Sequence, residues 1–393
     1  MWRNILYKIH LWLGIISGVI LFIVCLSGTL LVFRLETIMF FEHNKYFVSH
    51  PNQSPLNTDE LIAKVEKNMN GKVSAIITRN CNNNAAYFMC IETENNTKTN
   101  HHHNDEEHFR GKPYLIDPYT GETLGTFLSP LNICLSIIAR IHRSLFIPAP
   151  FGRIIVGSAT LIFVIISLSG FCLWLPANLR NKRAWKNGLT IRFHKGKNQL
   201  ISDLHKTLGF YVLIPVLIMT LTGLAWSFKW YSNGIQMIFH DQHFRIFREP
   251  SIKSPPQNPD AKRLPYDFFV KKADELIEHK GMRNFYIPEH EDGVIIVLEK
   301  RLGTLQLAVW DKIQFDQYTG EVLKIERFKD LPAGSKFVSL FLQLHTGDII
   351  GLPTKIIYLI ASLIATTLPI TGTIIWLRKL RHLRKTKDKL NAV

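Results

Sequence analysis

The sequence predicts a membrane protein with an all-α core of four transmembrane helices, built as a two-fold internal repeat, and two small α+β modules outside the membrane. Three observations predict this fold. Four apolar runs are each long enough to cross a bilayer, two long polar segments separate them, and the second half of the chain repeats motifs of the first. A histidine stands near the start of every predicted helix.

Each of the four apolar runs has about 20 residues, the length that a helix needs to cross a hydrocarbon core of about 30 Å. The runs are Leu11–Phe33, Ile154–Leu175, Leu208–Phe228 and Lys355–Leu377. The first run follows Arg3 and Lys8, as the apolar region of a signal peptide would, but it is too long for one and lacks a small-residue cleavage site. We therefore expect it to remain as an anchor.

Positive charge is concentrated in two segments beside the apolar runs. Arg180 to Lys197 has seven Lys/Arg residues and no acid, and Arg378 to Lys389 has seven against Asp388 alone. Short basic segments beside spanning helices stay in the cytoplasm, so both segments and both termini are predicted to be cytoplasmic. Because insertion topology explains this charge, the sequence predicts membrane lipid and no nucleic acid as a partner.

These signals divide the chain into eight predicted segments, each a helix, a module or a basic segment. They are the first transmembrane helix (1–36), an outer module (37–128), a pre-helix with the second transmembrane helix (129–177), a basic loop (178–202), the third transmembrane helix (203–230), a second outer module (231–333), a pre-helix with the fourth transmembrane helix (334–378) and a basic tail (379–393). Within the modules, helical patterns at Thr58–Asn68 and Tyr266–Glu278 precede strand-like alternation at Val73–Thr78 and Gly293–Leu298.

Several motifs recur at an offset of about 200 residues, as expected for an internal duplication. Asp117-Pro-Tyr-Thr-Gly-Glu122 returns as Asp316-Gln-Tyr-Thr-Gly-Glu321, and each Tyr-Thr-Gly-Glu tetrad is predicted to be a tight turn that closes a hairpin. Every predicted helix also contains a Ser-Gly or Thr-Gly pair. These pairs are Ser27-Gly28, Ser169-Gly170, Thr222-Gly223 and Thr371-Gly372.

The four histidines fall into two predicted pairs. His10 and His205 start the outward-running helices and share the cytoplasmic side, whereas His142 and His345 precede the inward-running helices and share the outer side. A low-spin b-type haem needs one axial imidazole on each face of its iron and an apolar slot for its ring. The pairs therefore predict two b-type haems, with the four histidines as ligands of the haem iron, although any one of them alone could be an ordinary interfacial residue.

Other residues are candidates for the same sites, each with an alternative. Gly28, Gly170, Gly223 and Gly372 could let a porphyrin approach the backbone, or could serve close helix packing. Arg143 and Arg153, with Arg140, could pair with haem propionates, or could snorkel to the membrane interface. His194 and His382 could replace an inner-side ligand. These two histidines have no repeat counterparts.

Two features of the outer modules remain open. His101–His108 and His240–His243 could bind a metal ion, and His101–His108 could instead be a solvated loop. Cys81 and Cys90 could form a disulfide in an oxidising compartment. No Cys-x-x-Cys-His motif is present, which excludes covalently attached c-type haem.

Taken together, the motifs resemble the PepSY-associated transmembrane family, which includes inner-membrane ferrisiderophore reductases and related iron-regulated proteins. The resemblance rests on His10-Leu-Trp-Leu-Gly14, Ser27-Gly28, the two Asp-x-Tyr-Thr-Gly-Glu motifs, His142-Arg-Ser-Leu145 with Gly152-Arg153, and Gly170 with Trp174. It implies periplasmic PepSY-like modules on a haem-binding four-helix core in the bacterial inner membrane. It also implies the substrate, iron in a ferric siderophore or another ferric chelate.

The function predicted from the sequence is therefore dihaem transmembrane electron transfer that reduces ferric chelates outside the cytoplasmic membrane. No glycine-rich dinucleotide motif is present, so a membrane quinol or a separate cytoplasmic reductase is expected as the electron donor. Two other hypotheses remain. One is a non-enzymatic PepSY membrane protein that binds or regulates an envelope peptidase or another partner, and the other is a metal or haem permease, disfavoured because the spans have almost no mid-helix charge.

Overall fold

A computed structural model of the 393-residue chain describes residues 2–48, 54–79, 85–93, 110–239, 252–254, 261–277, 281–301 and 310–390. The chain divides into two compact units, each discontinuous in sequence. The helical unit contains Met1–Arg34, Leu135–Ile235 and Phe341–Val393. The sheet unit contains Leu35–Cys134 and Gln236–Leu340.

The described helices range from single turns to the 39-residue α15. In chain order they are α1 (Trp2–Leu31), α2 (Arg34–Phe41), α3 (His43–Tyr46), α4 (Thr58–Met69), α5 (Pro130–Ser144), α6 (Phe151–Trp174), α7 (Lys182–Leu189), α8 (Gly196–Asp203), α9 (Gly209–Tyr211), α10 (Leu213–Ser227), α11 (Lys229–Ile238), α12 (Tyr266–Leu276), α13 (Ala333–Ser339), α14 (Phe341–Thr346) and α15 (Leu352–Leu390). A π turn, Leu204–Leu208, joins α8 to α9. Short 3₁₀ turns occupy Phe193–Lys195, Phe328–Asp330 and Asp348–Ile350.

Three of the described helices are long and apolar enough to cross a membrane: α1, α6 and the part of α15 from Leu352 to Arg384. A fourth span results if the bent pair Phe193–Tyr211 and Leu213–Ser227 is counted as one. The segments that hydropathy predicts to cross the bilayer are therefore helical in the structure and, with the bent pair counted as one span, long and apolar enough to do so. These helices make the chain a membrane protein.

The third predicted span is not one continuous helix. Its two parts are bent by 62° at Val212, which has φ −92° and ψ 0°. Pro215 supplies the physical reason, because it has no N–H to donate to the carbonyl of Tyr211 and its ring crowds that carbonyl. Sequence analysis treated Leu208–Phe228 as uninterrupted, and the structure corrects this point.

The sheet unit contains one antiparallel sheet of eight described strands in the order β4-β3-β2-β1-β5-β6-β7-β8. The strands are β1 (Lys72–Arg79), β2 (Tyr87–Glu92), β3 (Lys112–Ile116), β4 (Thr123–Thr126), β5 (Gly281–Tyr286), β6 (Val294–Arg301), β7 (Trp310–Asp316) and β8 (Val322–Glu326). The two central strands come from different predicted modules and pair with Ala75 opposite Tyr286 and Ile76 opposite Phe285. The two predicted modules are thus halves of one continuous sheet.

Helices α4 and α12 cover one face of this sheet. Leu61 and Val65 of α4 and Phe269 of α12 pack with Ile76 and Phe315 in one buried cluster. This shared core explains why the modules are not separate, because each half has only one helix and four strands with which to bury its apolar face.

The repeated Asp-x-Tyr-Thr-Gly-Glu motifs form the turns between β3 and β4 and between β7 and β8, as predicted. Asp117 Oδ1 accepts a hydrogen bond from the Tyr119 amide at 2.8 Å, and Asp316 Oδ1 accepts one from the Tyr318 amide at 2.8 Å. Burial acts to raise the pKa of Asp316, but hydrogen bonds from Ser254, Thr319 and Tyr318 outweigh it and hold the pKa below its ordinary value. The stability gained this way is present at neutral pH and is lost as the pH falls through that lowered pKa.

We expect Gly320→Ala to destabilise the sheet unit more than Gly121→Ala. Both glycines have positive φ, +69° and +71°, which costs an alanine about 1–2 kcal/mol. A Cβ at Gly320 would also lie 2.3 Å from a ring carbon of Phe268, whereas at Gly121 it would meet the flexible Lys64 side chain at 3.0 Å. Thermal unfolding of the two full-length variants measures the difference. Equal losses would show that Phe268 moves aside freely.

Candidate functional site

The four predicted histidines come together in the helical unit as two pairs. His10 of α1 and His205 of the π turn have ring centroids 6.2 Å apart, with an interplanar angle of 83°. His142 of α5 and His345 of α14 have ring centroids 6.1 Å apart, with an angle of 56°. Each pair joins one histidine to its counterpart in the other half of the sequence, and all four side chains are half-buried.

Nδ1 of His10, His142 and His345 donates to a main-chain carbonyl on a neighbouring helix. The acceptors are Ile166 for His10 at 3.0 Å, Val24 for His142 at 2.9 Å and Met219 for His345 at 2.8 Å. Nδ1 of His205 lies 2.9 Å from Thr371 Oγ1. Because a carbonyl can only accept, Nδ1 of the first three histidines carries the ring proton and Nε2 is the atom with a free lone pair. Throughout the described residues, every hydrogen bond to these rings uses Nδ1.

A hydroxyl group lies beside each of these Nδ1 atoms. The distances are 3.1 Å from Ser169 Oγ to His10, 3.4 Å from Ser27 Oγ to His142, 2.9 Å from Thr371 Oγ1 to His205 and 3.2 Å from Thr222 Oγ1 to His345. Each hydroxyl donates to a carbonyl of its own helix, so its oxygen is free to accept from the imidazole. Each oxygen can thus be a second acceptor that fixes the ring orientation.

The glycine of each Ser-Gly or Thr-Gly pair lies against the same imidazole as the hydroxyl that precedes it. A Cβ would lie 3.0 Å from His10 Cε1 at Gly170, 3.0 Å from His142 Cε1 at Gly28, 3.1 Å from His345 Cε1 at Gly223 and 3.2 Å from His205 Cε1 at Gly372. The space that a side chain would fill is therefore occupied by an imidazole. Sequence analysis considered a porphyrin or a neighbouring helix for this space and did not consider the histidine itself.

These contacts follow one pattern in both halves of the chain. His10 packs against α6 and His142 against α1, and likewise His205 packs against α15 and His345 against α10. In each case the histidine contacts a glycine and the hydroxyl residue before it, and for His10, His142 and His345 also the carbonyl four residues before that glycine. The recurring Ser/Thr before each glycine was the sequence signal for the hydroxyl contact, but its partner could not be identified without the structure.

The other predicted site residues lie on the surface of the helical unit. Arg143 and Arg153 are exposed and, within the described part of the chain, form no ion pair. The guanidinium of Arg140 lies 4.2 Å from the ring centroid of Phe146. His194 and His382 are exposed, and neither ring contacts the pair formed by His10 and His205.

Some sequence predictions lie outside the described residues. They concern Cys81, the His101–His108 segment and the His240–His243 segment.

The described residues contain no group of three or more His, Cys, Asp or Glu side chains that could hold a metal ion. A pair of imidazoles supplies two ligands, the number that the axial positions of a haem iron require.

The ring centroids of the two pairs are 6.2 and 6.1 Å apart. At this separation two imidazoles could hold one metal centre between them. The indole of Trp226 stands edge-on to His345 at 5.5 Å, so an aromatic side chain also borders the pair formed by His142 and His345.

The helices that contain this site lie within the part of the chain that matches a known family. The model of one family, the PepSY-associated TM region, matches residues 7–379, nearly the whole chain. The chain belongs to the PepSY-associated transmembrane family. The part of this PepSY-associated transmembrane protein that matches includes all four histidines and all four Ser-Gly or Thr-Gly pairs. No curated protein matches the chain.

Proposed function

We propose that this protein is a dihaem b-type transmembrane electron carrier that reduces ferric siderophores or other ferric chelates at the outer face of the membrane. One observation carries the proposal. Two pairs of repeat-equivalent histidines have ring separations of 6.2 and 6.1 Å, and a hydrogen bond from each Nδ1 leaves each Nε2 free to bind iron. Each pair thereby meets the requirement of a haem with two axial imidazoles.

The proposal includes a four-helix core with two-fold internal repetition in the bacterial inner membrane. α1, α6, the bent Phe193–Ser227 segment and α15 are its four spans. Basic residues at 180–197 and 378–389 favour cytoplasmic positions for these segments and for both termini. With that orientation, His10 and His205 hold the inner haem and His142 and His345 hold the outer haem. The sheet unit is then periplasmic.

Side chains around the histidines have distinct roles in this proposal. Ser27, Ser169, Thr222 and Thr371 orient the rings, as hydrogen-bonded partners of metal-binding histidines do in other sites. Gly28, Gly170, Gly223 and Gly372 make room for the rings. Arg143 and Arg153 pair with haem propionates, since guanidinium groups bind carboxylates bidentately.

Bound haem supplies reversible one-electron chemistry within an apolar environment. The iron of the chelate is the substrate and accepts one electron, changing from ferric to ferrous. Ferrous iron carries less charge and is held less tightly by the hard oxygen ligands of a siderophore, so reduction favours release. The family membership supports a membrane role, and the histidine pairs favour electron transfer over simple anchoring.

The test is a redox difference spectrum of purified protein from haem-replete cells. We expect a b-type spectrum after dithionite reduction and two haems per chain in a pyridine haemochrome assay. Reduced protein should then reoxidise when a ferric chelate is added. A colourless preparation would overturn the proposal and would favour a non-enzymatic PepSY membrane protein that binds an envelope partner.

A further inference from the structure

The basic loop between α6 and α10 is held in a fixed conformation against the helical unit. The indole Nε1 of Trp174 and the hydroxyl of Thr207 each donate to the Gly188 carbonyl at 3.0 Å, and the Tyr211 hydroxyl donates to the Leu189 carbonyl at 2.8 Å. All three bonds end at the last turn of α7. A loop whose charge only directs membrane insertion needs no such attachment.

An ion pair between the partly exposed Arg192 and the buried Asp203 attaches the next part of the same loop. Arg192 donates to Asp203 from Nε at 2.9 Å and from Nη2 at 2.6 Å, and the Asp203 carboxylate is nearly fully buried. Bidentate guanidinium–carboxylate pairs impose a defined geometry. The loop is therefore attached at two points, the end of α7 and Arg192, which both follow the exposed basic residues of α7.

The outward surface of α7 is strongly basic. Lys182, Arg183 and Lys186 are exposed, and the sequence from Arg180 to Lys197 contains no acid. These charges lie on a helix that begins at the cap formed by Asn181, whose side chain accepts from the Ala184 amide at 3.1 Å. The result is a compact, ordered cationic surface.

A series of aromatic ring contacts connects α7 with α6, the helix whose Gly170 lies against His10. Trp185 of α7 meets Trp174 at 5.4 Å, and Trp174 stacks on Phe210 at 3.7 Å with an interplanar angle of 4°. Phe210 in turn stacks with Phe171 at 6.4 Å, and Phe171 follows Gly170, the glycine that lies against His10. The cationic surface is thus joined to the inner-side pair by continuous packing.

We infer that α7 is the docking surface for an acidic one-electron carrier protein, a reduced flavoprotein of the flavodoxin class, that supplies electrons to the inner side. This inference rests on the proposed function. Charge complementarity is the argument for the partner, because redox proteins use small interfaces and electrostatic steering for brief encounters. In each encounter the flavin would lose one electron, and a haem held by His10 and His205 would accept it.

The competing occupant of this surface is an anionic lipid headgroup. Leu179 and Phe193 flank α7 and are 65% and 67% exposed, as side chains in contact with a membrane can be. A lipid surface explains the charge and these two side chains, but it does not explain the ordered aromatic connection to the helix that contacts His10. The experiment separates the two occupants.

The test compares Arg183→Glu/Lys186→Glu with Arg381→Glu/Arg384→Glu. Both double variants reverse two exposed basic residues three positions apart, and both lie in segments assigned to the cytoplasm. The haem-loaded proteins are placed in nanodiscs of phosphatidylcholine alone, and flavodoxin is the probe. At low ionic strength we expect the α7 variant to bind flavodoxin about tenfold more weakly or worse, and the tail variant to bind like the parent.

Binding is measured directly by biolayer interferometry, and the rate of haem reduction by photoreduced flavodoxin is measured in parallel. Equal binding by the parent and both variants would overturn the inference. So would an effect of the α7 substitutions that occurs only when anionic lipid is added, because that result assigns the surface to headgroups. Dithionite reduction of both haems in every variant shows that the proteins are folded and contain haem. If flavodoxin binding is unchanged while both haems are present, the docking inference fails and the proposed function stands. If no haem is present, the proposed function itself fails.

Discussion

His345→Ala is expected to remove one of two haems and leave the other in place. His345 is half of the outer-side pair, and its ring is 6.1 Å from that of His142. Under the proposed assignment alanine would leave only His142 to hold the outer haem, whereas His10 and His205 are unchanged. The haem content per chain should fall to about half, and reduction of ferric chelates by the dithionite-reduced protein should be lost.

The matched control is His382→Ala, which changes an exposed histidine of α15 that belongs to neither pair. This variant should retain both haems. Retention of two haems by His345→Ala would contradict the assignment of the outer pair. Loss of haem from the His382 variant would instead make His382 an inner-side ligand, an alternative that the sequence left open.

The pairing of the histidines could be predicted because it depends on features that a sequence records. Hydropathy locates the helices, basic residues orient them, and the repeat identifies His10 with His205 and His142 with His345. The structure brings together those same four side chains. The hairpin turns at Asp117 and Asp316 were equally predictable, because their chemistry is local to six residues.

Features that depend on contacts between distant segments could not be predicted. The pairing of β1 with β5 joins residues about 200 positions apart, and hydrophobic alternation identifies a strand without identifying its neighbour. The bend at Val212 depends on Pro215, which a hydropathy window counts as one residue among many.

The Ser-Gly and Thr-Gly pairs could be predicted in part: the sequence shows that they recur but not which side chain each glycine contacts. Their recurrence was visible, and so was the spacing of 18 residues that separates Gly28 from His10 and Gly223 from His205. The histidine that each glycine contacts, however, belongs to another helix. Gly28 lies against His142 and Gly223 against His345, while Gly170 and Gly372 lie against His10 and His205. Only the structure could assign these partners.

Gly28→Val is expected to remove the outer haem although every histidine remains. A Cβ at this position already lies 3.0 Å from Cε1 of His142 and 3.3 Å from its Nδ1. The two γ-carbons of valine extend further into the space of the ring, so the imidazole must leave the Val24 carbonyl to which it donates at 2.9 Å. The haem content should fall to about half, as for His345→Ala, and the redox difference spectrum should match that of the His345 variant.

Gly14→Val is the matched control in the same helix, because a Cβ at Gly14 would have no heavy atom within 4 Å apart from its chain neighbours and the backbone of its own helix. It should bind two haems. Gly28→Ala provides an intermediate step, since the ring can yield by a few tenths of an ångström to a single methyl group, and its haem should remain bound with a shifted potential. If Gly28 served helix packing alone, Gly28→Val would lower the unfolding temperature and keep both haems. A normal haem content would thus reject the role of the glycine in seating His142 without affecting the histidine pairs themselves.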